Sequence, residues 1–356
     1  MSVRSRSCAR RVAVGLCLVA VVLVLAATLR PGTAATPAGH GPHHRGGGGF
    51  RNLAPSYAYS NIGLKGLPRF VRERLSRGPA GARLALLPND GAEVRANGRS
   101  PTVTWVGHAT LLVQIDGVNI LTDPHWGERA SPVGFAGPRR LLPPGIRFED
   151  LPDIDVVVIS HDHYDHLDEG TVRRLAREHR PRFFVPLGIK AWLAERGIDD
   201  VVELDWWQSA SFGGLEIHCT PAQHSSGRTL TDQNLRLWSS WVVLGRDRRL
   251  YFAGDTGYYA GLAEIGQRLG PFDLALIPIG GYKDFARHHP NHVNPEEAVQ
   301  LFEDVDGQLM VPMHWGTFVL NREPAHEPPT RLLAEALRRG IEERIAVLSP
   351  GQTVPW

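Results

Sequence analysis

Ser160-His161-Asp162-His163-Tyr164-Asp165-His166 is the stretch that organises the rest of this 356-residue chain. Just before it, Val156-Val157-Val158-Ile159 is a wholly aliphatic, β-branched run that reads as a buried strand. Just after it, the pattern from Glu169 to His179 predicts a helix. His161, His163, Asp165 and His166 therefore crowd the end of one strand. Imidazole nitrogen and carboxylate oxygen are the ligands that zinc accepts where thiolates are absent.

The same arrangement recurs further along. His224 follows the predicted strand Leu215 to Cys219, Asp255 follows Leu250-Tyr251-Phe252, and His314 follows Leu309 to Met313. Four strands thus end in metal-binding side chains, and in α/β sheets such groups gather outside the carboxyl ends of the strands. Five histidines and two aspartates suffice for two neighbouring metal sites that share one carboxylate. Val103-Thr104-Trp105-Val106 and the strands on either side of the Asp116-Gly117 turn predict a hairpin over 103–122. Further strands are expected at Arg182 to Val185 and Leu274 to Ile277. Pro295 to Phe302 reads as a helix capped by Asn294, and Arg331 to Arg339 as one stopped by Gly340. Elements interleaved in this way predict an α/β layered domain over 101–356.

The first hundred residues differ in kind. Val12 to Leu29 is an uncharged run of eighteen residues behind Arg4, Arg6, Arg10 and Arg11, long enough to span a bilayer. Residues 1–30 are therefore expected to be a transmembrane anchor or signal segment. That places the domain outside the cytoplasm, anchored to the membrane or, after cleavage near Thr33-Ala34-Ala35, secreted. Residues 31–49 end in four glycines and predict a flexible linker, with His40, His43 and His44 solvated. Residues 50–100 form an N-terminal extension. Within it, Phe70, Val71 and Leu75 line one side of a short basic helix suited either to docking on a membrane or to packing on the domain.

Composition excludes several classes. The chain is 42% hydrophobic and 21% charged, which argues against overall disorder. Three cysteines, Cys8, Cys17 and Cys219, rule out a disulfide framework and a multi-thiolate zinc site. Residues 1–49 hold six arginines and no acid, leaving 33 basic against 37 acidic residues in the rest. An acidic body of that kind argues against nucleic acid as a partner.

His161 to His166 carries the HxHxDH signature of the metallo-β-lactamase superfamily. Within it the chain resembles the N-acyl-phosphatidylethanolamine-hydrolysing phospholipase D family, through Trp105-Val106-Gly107-His108-Ala109-Thr110, Leu204-Asp205-Trp206-Trp207, Pro221-Ala222-Gln223-His224, Phe252-Ala253-Gly254-Asp255-Thr256-Gly257-Tyr258, Asn291-His292-Val293-Asn294-Pro295 and His314-Trp315-Gly316-Thr317-Phe318. The resemblance implies an αββα sandwich with two zinc ions at one edge, iron or manganese being alternatives. One ion would take His161, His163 and His224, the other Asp165, His166 and His314, with Asp255 bridging them. Asp165 and His292 are the implied catalytic residues, His292 beside the substrate headgroup. Trp315 is expected in packing, Cys219 as a buried strand residue, and Asp168 as a hydrogen-bond acceptor for a ligand imidazole or a helix cap. The implied reaction releases N-acylethanolamine and phosphatidic acid from a phospholipid through a metal-bridging hydroxide. A small ester or lactone hydrolase of the same fold is the alternative, followed by a non-catalytic membrane-tethered metal-binding protein.

Overall fold

The computed structural model describes residues 41–54, 84–283 and 290–356. The apolar run 12–29, His40 and the expected docking helix with Phe70, Val71 and Leu75 lie outside the described residues. Among the described residues no helix is long and apolar enough to cross a membrane.

Thirteen strands alternate with six α-helices in the described residues. After α1 (Ala92–Ala96) come β1 (Thr102–Gly107), β2 (Thr110–Ile115) and β3 (Val118–Thr122), an antiparallel meander. Asp116 and Gly117 both take positive φ between β2 and β3, the two-residue turn that their sequence predicts. β4 (Val156–Val158), α2 (Glu169–Glu178), β5 (Arg182–Pro186), α3 (Ile189–Ala194) and β6 (Val201–Leu204) extend this sheet in parallel. β7 (Ser209–Phe212), β8 (Leu215–Thr220), β9 (Ser240–Leu244) and β10 (Arg249–Phe252) open the second sheet as antiparallel strands. α4 (Ala263–Leu269), β11 (Phe272–Pro278), α5 (Pro295–Asp304) and β12 (Gly307–Met313) add two parallel strands to it. α6 (Glu327–Arg339) follows, and β13 (Thr353–Pro355) returns to pair with β1.

The result is two mixed sheets, ordered β13-β1-β2-β3-β4-β5-β6 and β12-β11-β10-β9-β8-β7. Strand alternation decides how they stack. Val156 and Val158 join the core that also holds Leu215, Ile217, Trp241 and Leu250 of the second sheet. Val157 faces the other way, into a core with Val172 and Leu175 of α2 and Trp192 of α3. Helices therefore lie outside each sheet, with α5 and α6 covering the second. Asn294 caps α5 with a full capping box through Glu297, as its sequence predicts.

One expectation is corrected. The glycine-rich composition of 31–49 predicts a free linker, yet residues 41–49 are docked on the domain. Phe50 is fully buried in the main core, and the His43 ring stacks on Trp206 with centroids 4.2 Å apart. His43 Nε2 and His44 Nε2 lie 2.7 and 2.8 Å from the two oxygens of Asp205. Glycine permits the turn that brings them there, and Gly49 sits at φ 80° where an added Cβ would collide with the Asn234 carbonyl.

Candidate metal centre

Most of the polar residues at the site stand past the end of a strand, along one edge of the two sheets. Asp123 follows β3, His161 to His166 follow β4, His224 follows β8, Asp255 follows β10 and His314 follows β12. His108 occupies the β1–β2 turn. His108, Asp123 and His314 hold φ of 55°, 34° and 59°, a left-handed backbone that costs non-glycine residues about 1–3 kcal/mol each and concentrates at functional sites. The His314 N–H donates to the His108 carbonyl, and the His108 N–H to Thr317 Oγ1.

His161, His163 and His224 converge as one group. His161 Nδ1–H donates to Ser160 Oγ, whose own hydroxyl donates to Asp123 Oδ2. His224 Nδ1–H donates to the Asn291 carbonyl at 2.9 Å. With those protons committed, the two Nε2 lone pairs point at His163 Nδ1, at 2.9 and 3.2 Å. One proton on His163 satisfies only one of them, whereas a cation between the three satisfies all.

His108, Asp165, His166 and His314 form a second group. His166 Nδ1–H donates to Asp123 Oδ2 at 2.6 Å, turning Nε2 toward Asp165 Oδ2 at 3.3 Å. His314 Nε2 lies 3.4 Å from the same oxygen, and His108 Nε2 lies 2.9 Å from it. Asp255 Oδ2 joins the two groups: it stands 3.1 Å from both His166 Nε2 and His314 Nε2, 3.7 Å from His224 Nε2 and 4.0 Å from His161 Nε2.

Among the buried atoms here without a hydrogen-bond partner are His166 Nε2, His314 Nε2 and Asp255 Oδ1. Orphaned lone pairs that converge in an enclosed N/O donor set fit a divalent metal. The electrostatics agree. Burial, with neighbouring imidazoles, holds His161 well below the ordinary histidine value, and burial takes His224 down to about 3, so both stay neutral and available as ligands. Burial also opposes charge on His166 and His314, but Asp255 and Asp165 overcome it, raising His166 well above the ordinary value and His314 to about 9. Asp255 and Asp165 stay ionised despite burial because these histidines surround them. The second group thus demands positive charge, from protons or from a metal.

Beside the two groups opens a cavity of about 260 Å³, lined by His163, Tyr164, Asp165, Asp255, His292 and His314 among others. His292 Nδ1 is 3.8 Å from Asp255 Oδ2, and its ring packs on those of His224 and His314.

Comparison with known proteins agrees with this geometry. The family profile described as "Beta-lactamase superfamily domain" matches residues 118–315. The chain belongs to the metallo-β-lactamase superfamily. Its similarity to one superfamily member, N-acyl-phosphatidylethanolamine-hydrolyzing phospholipase D 1 of Caenorhabditis elegans, is 46% identity over 247 residues, covering 66% of this chain and 69% of that protein. It is 44% identical over 319 residues to an uncharacterized protein of Mycobacterium tuberculosis, covering 88% of this chain and 84% of the other. Among solved structures it is similar to Igni18, a metallo hydrolase of Ignicoccus hospitalis, with a TM-score of 0.57 and 27% identity over 72% of this chain and 98% of that one.

Within this superfamily fold, all seven residues expected at the metals and His292 come together at one edge. Asp168 resolves as a helix cap, its carboxylate accepting from the Thr171 N–H and hydroxyl. Trp315 packs on Trp105, and Cys219 is fully buried. Sequence reasoning missed His108, which holds Asp165, and Asp123, which orients His166 and, through Ser160, His161. Both directly follow predicted strands, the same signal that marks Asp255 and His314.

Proposed function

We propose that the protein is a dinuclear zinc hydrolase that cleaves an N-acyl-phosphatidylethanolamine-type phospholipid to N-acylethanolamine and phosphatidic acid. Asp255 Oδ2 carries the dinuclear part, since one carboxylate oxygen faces histidines of both groups. The similarity to a phospholipase D that acts on this lipid class supports the substrate. In this reading His161, His163 and His224 hold one ion, Asp165, His166 and His314 the other, and Asp255 is shared. Two ions there would supply Lewis acidity for charge building on phosphoryl oxygens and the means to make water nucleophilic near neutral pH.

The residues of the chain do the positioning. Asp123 fixes the rings of His166 and, through Ser160, of His161, and His108 fixes the Asp165 carboxylate. His292, on the cavity wall 3.8 Å from Asp255, is assigned to orienting the headgroup side of the phosphodiester. A cavity of about 260 Å³ is smaller than the roughly 300–1,000 Å³ of ligand pockets, a size that suits a headgroup with the acyl chains left outside. Chains left outside suit an enzyme working at a bilayer, with residues 12–29 as anchor or export signal and the domain extracytoplasmic. A reporter active only outside the cytoplasm, fused after Gly49, should be active, and a silent one contradicts the address.

The substrate is tested with purified protein, zinc, mixed micelles and a lactone panel, with products read by mass spectrometry. Phosphatidate is expected. Diacylglycerol would place cleavage on the other side of phosphorus, and turnover of lactones alone would replace the lipid reading.

A further inference from the structure

Residues 41–54 form a strap whose last turn reaches the metal centre. The Asn52 side-chain amide donates to the His224 carbonyl at 2.7 Å and accepts from the His224 N–H at 3.0 Å. Both backbone polar groups of His224 are thus taken by one side chain 172 positions earlier. His224 needs such an anchor because β8 ends at Thr220, four residues before it, so no sheet partner sets its peptide plane. Fixing that plane and holding Nδ1 on the Asn291 carbonyl leaves the ring one way to point, toward His161, His163 and Asp255.

The strap is itself fastened at three places. Phe50 fills the core, and its N–H donates to the Asn234 carbonyl at 2.8 Å. Asn234 Oδ1 in turn accepts from the Ser226 N–H, two residues beyond His224. At the far end, His43 and His44 close on both oxygens of Asp205. The Arg51 N–H bonds the His43 carbonyl, and the Arg45 N–H the Gly49 carbonyl, so the loop between the fastenings is closed on itself. These contacts give Asn52 a rigid base, which a solvated linker would not.

We propose that Asn52 is a positioning residue for the metal centre, acting through the His224 backbone, and that the strap 41–54 serves to hold it there. The inference rests on the dinuclear reading above and deepens it. Losing a partner that orients a metal ligand costs about 10–100-fold in metal affinity. A strap that served stability alone would leave the bound metal's ligand field untouched.

Cobalt(II) titration of the full-length chain, followed by visible absorption, separates these roles. The wild-type chain is expected to bind two ions. Asn52→Ala should bind one of them about tenfold more weakly, with a shifted visible band, while the other is unchanged. Asn52→Asp, which keeps the acceptor for the His224 N–H, should recover part of the loss. Asp205→Ala, which loosens the far fastening, should act in the same direction more weakly. These last two variants carry the reading should Asn52→Ala not fold. Affinities and spectra matching wild type across the folded variants would overturn the proposal. Fewer than two ions on the wild-type chain would overturn the dinuclear reading instead, and the effect of Asn52→Ala on whichever ion binds would still decide the role of the strap.

Discussion

His161, His163 and His224 meet as three imidazoles with no carboxylate closer than Asp255, whereas His166 and His314 are pressed between Asp165, Asp255 and, for His166, Asp123. His161, His224, His166 and His314 are all deeply buried, yet the first two are driven toward neutrality and the last two toward charge. Burial alone therefore does not set protonation: facing carboxylates raise His166 and His314, whereas at His108, 2.9 Å from Asp165, burial and the His314 ring prevail and take it down to about 3. A cation entering the first group displaces no proton from His161 or His224. One entering the second must expel those on His166 and His314. Two pockets a few ångströms apart are thereby tuned to respond differently to pH, with Asp255 as their common wall.

The strongest way to break this contrast is to remove the wall. Asp255→Ala should take a ligand from both groups at once and lower kcat/KM by about 10³-fold or more, beyond any single histidine change, with loss of both ions by elemental analysis. Near-normal activity would show that the two groups are independent. Next in size is Asp123→Asn, which replaces the carboxyl that accepts from His166 and Ser160. A loss of about 10–100-fold in metal affinity is expected, larger for the carboxylate-rich group, read by competition with a chelating dye.

Acidity sharpens the contrast itself. Stepwise dialysis toward mildly acidic pH should empty the second group first, because protons compete for His166 and His314 but not for His161 or His224. The chelator-treated chain should show the matching stability profile. The folded-state value of His314 is raised from 6.5 to about 9, so its stabilising contribution is fully present below 6.5 and is lost as pH rises through about 9. Thermal melts of the metal-free chain should therefore fall across that window, and melts of the zinc-loaded chain should fall less. The smallest effect belongs to His292→Ala, at about tenfold or more in turnover with metal content unchanged, since its ring borders the cavity and its Nδ1 stays 3.8 Å from Asp255 Oδ2.

How much of this was legible in the sequence follows from distance along the chain. The seven residues expected at the metals could be read because each stands near the end of an apolar run, and strand ends converge wherever strands share an edge. His108 and Asp123 stand at strand ends too, but a lone histidine or aspartate beside a hairpin reads equally well as a turn residue. Their partners, Asp165 and His166, lie 57 and 43 positions away. The strap was hidden for a stronger reason: glycine-rich composition reports freedom of the backbone, while the His43–Asp205 contact spans 162 positions. β7 was missed because Ser209–Phe212 is an edge strand with no buried residue, so it carries no apolar signature.

Sharing of one carboxylate by two ions is open to direct test by crystallography of the zinc-loaded chain, with data collected at the zinc absorption edge. Two anomalous peaks are expected roughly 3.5–4 Å apart, one among His161, His163 and His224, the other among Asp165, His166 and His314, with Asp255 between them. A single peak at full zinc loading, or two peaks with Asp255 turned away from either, would contradict it.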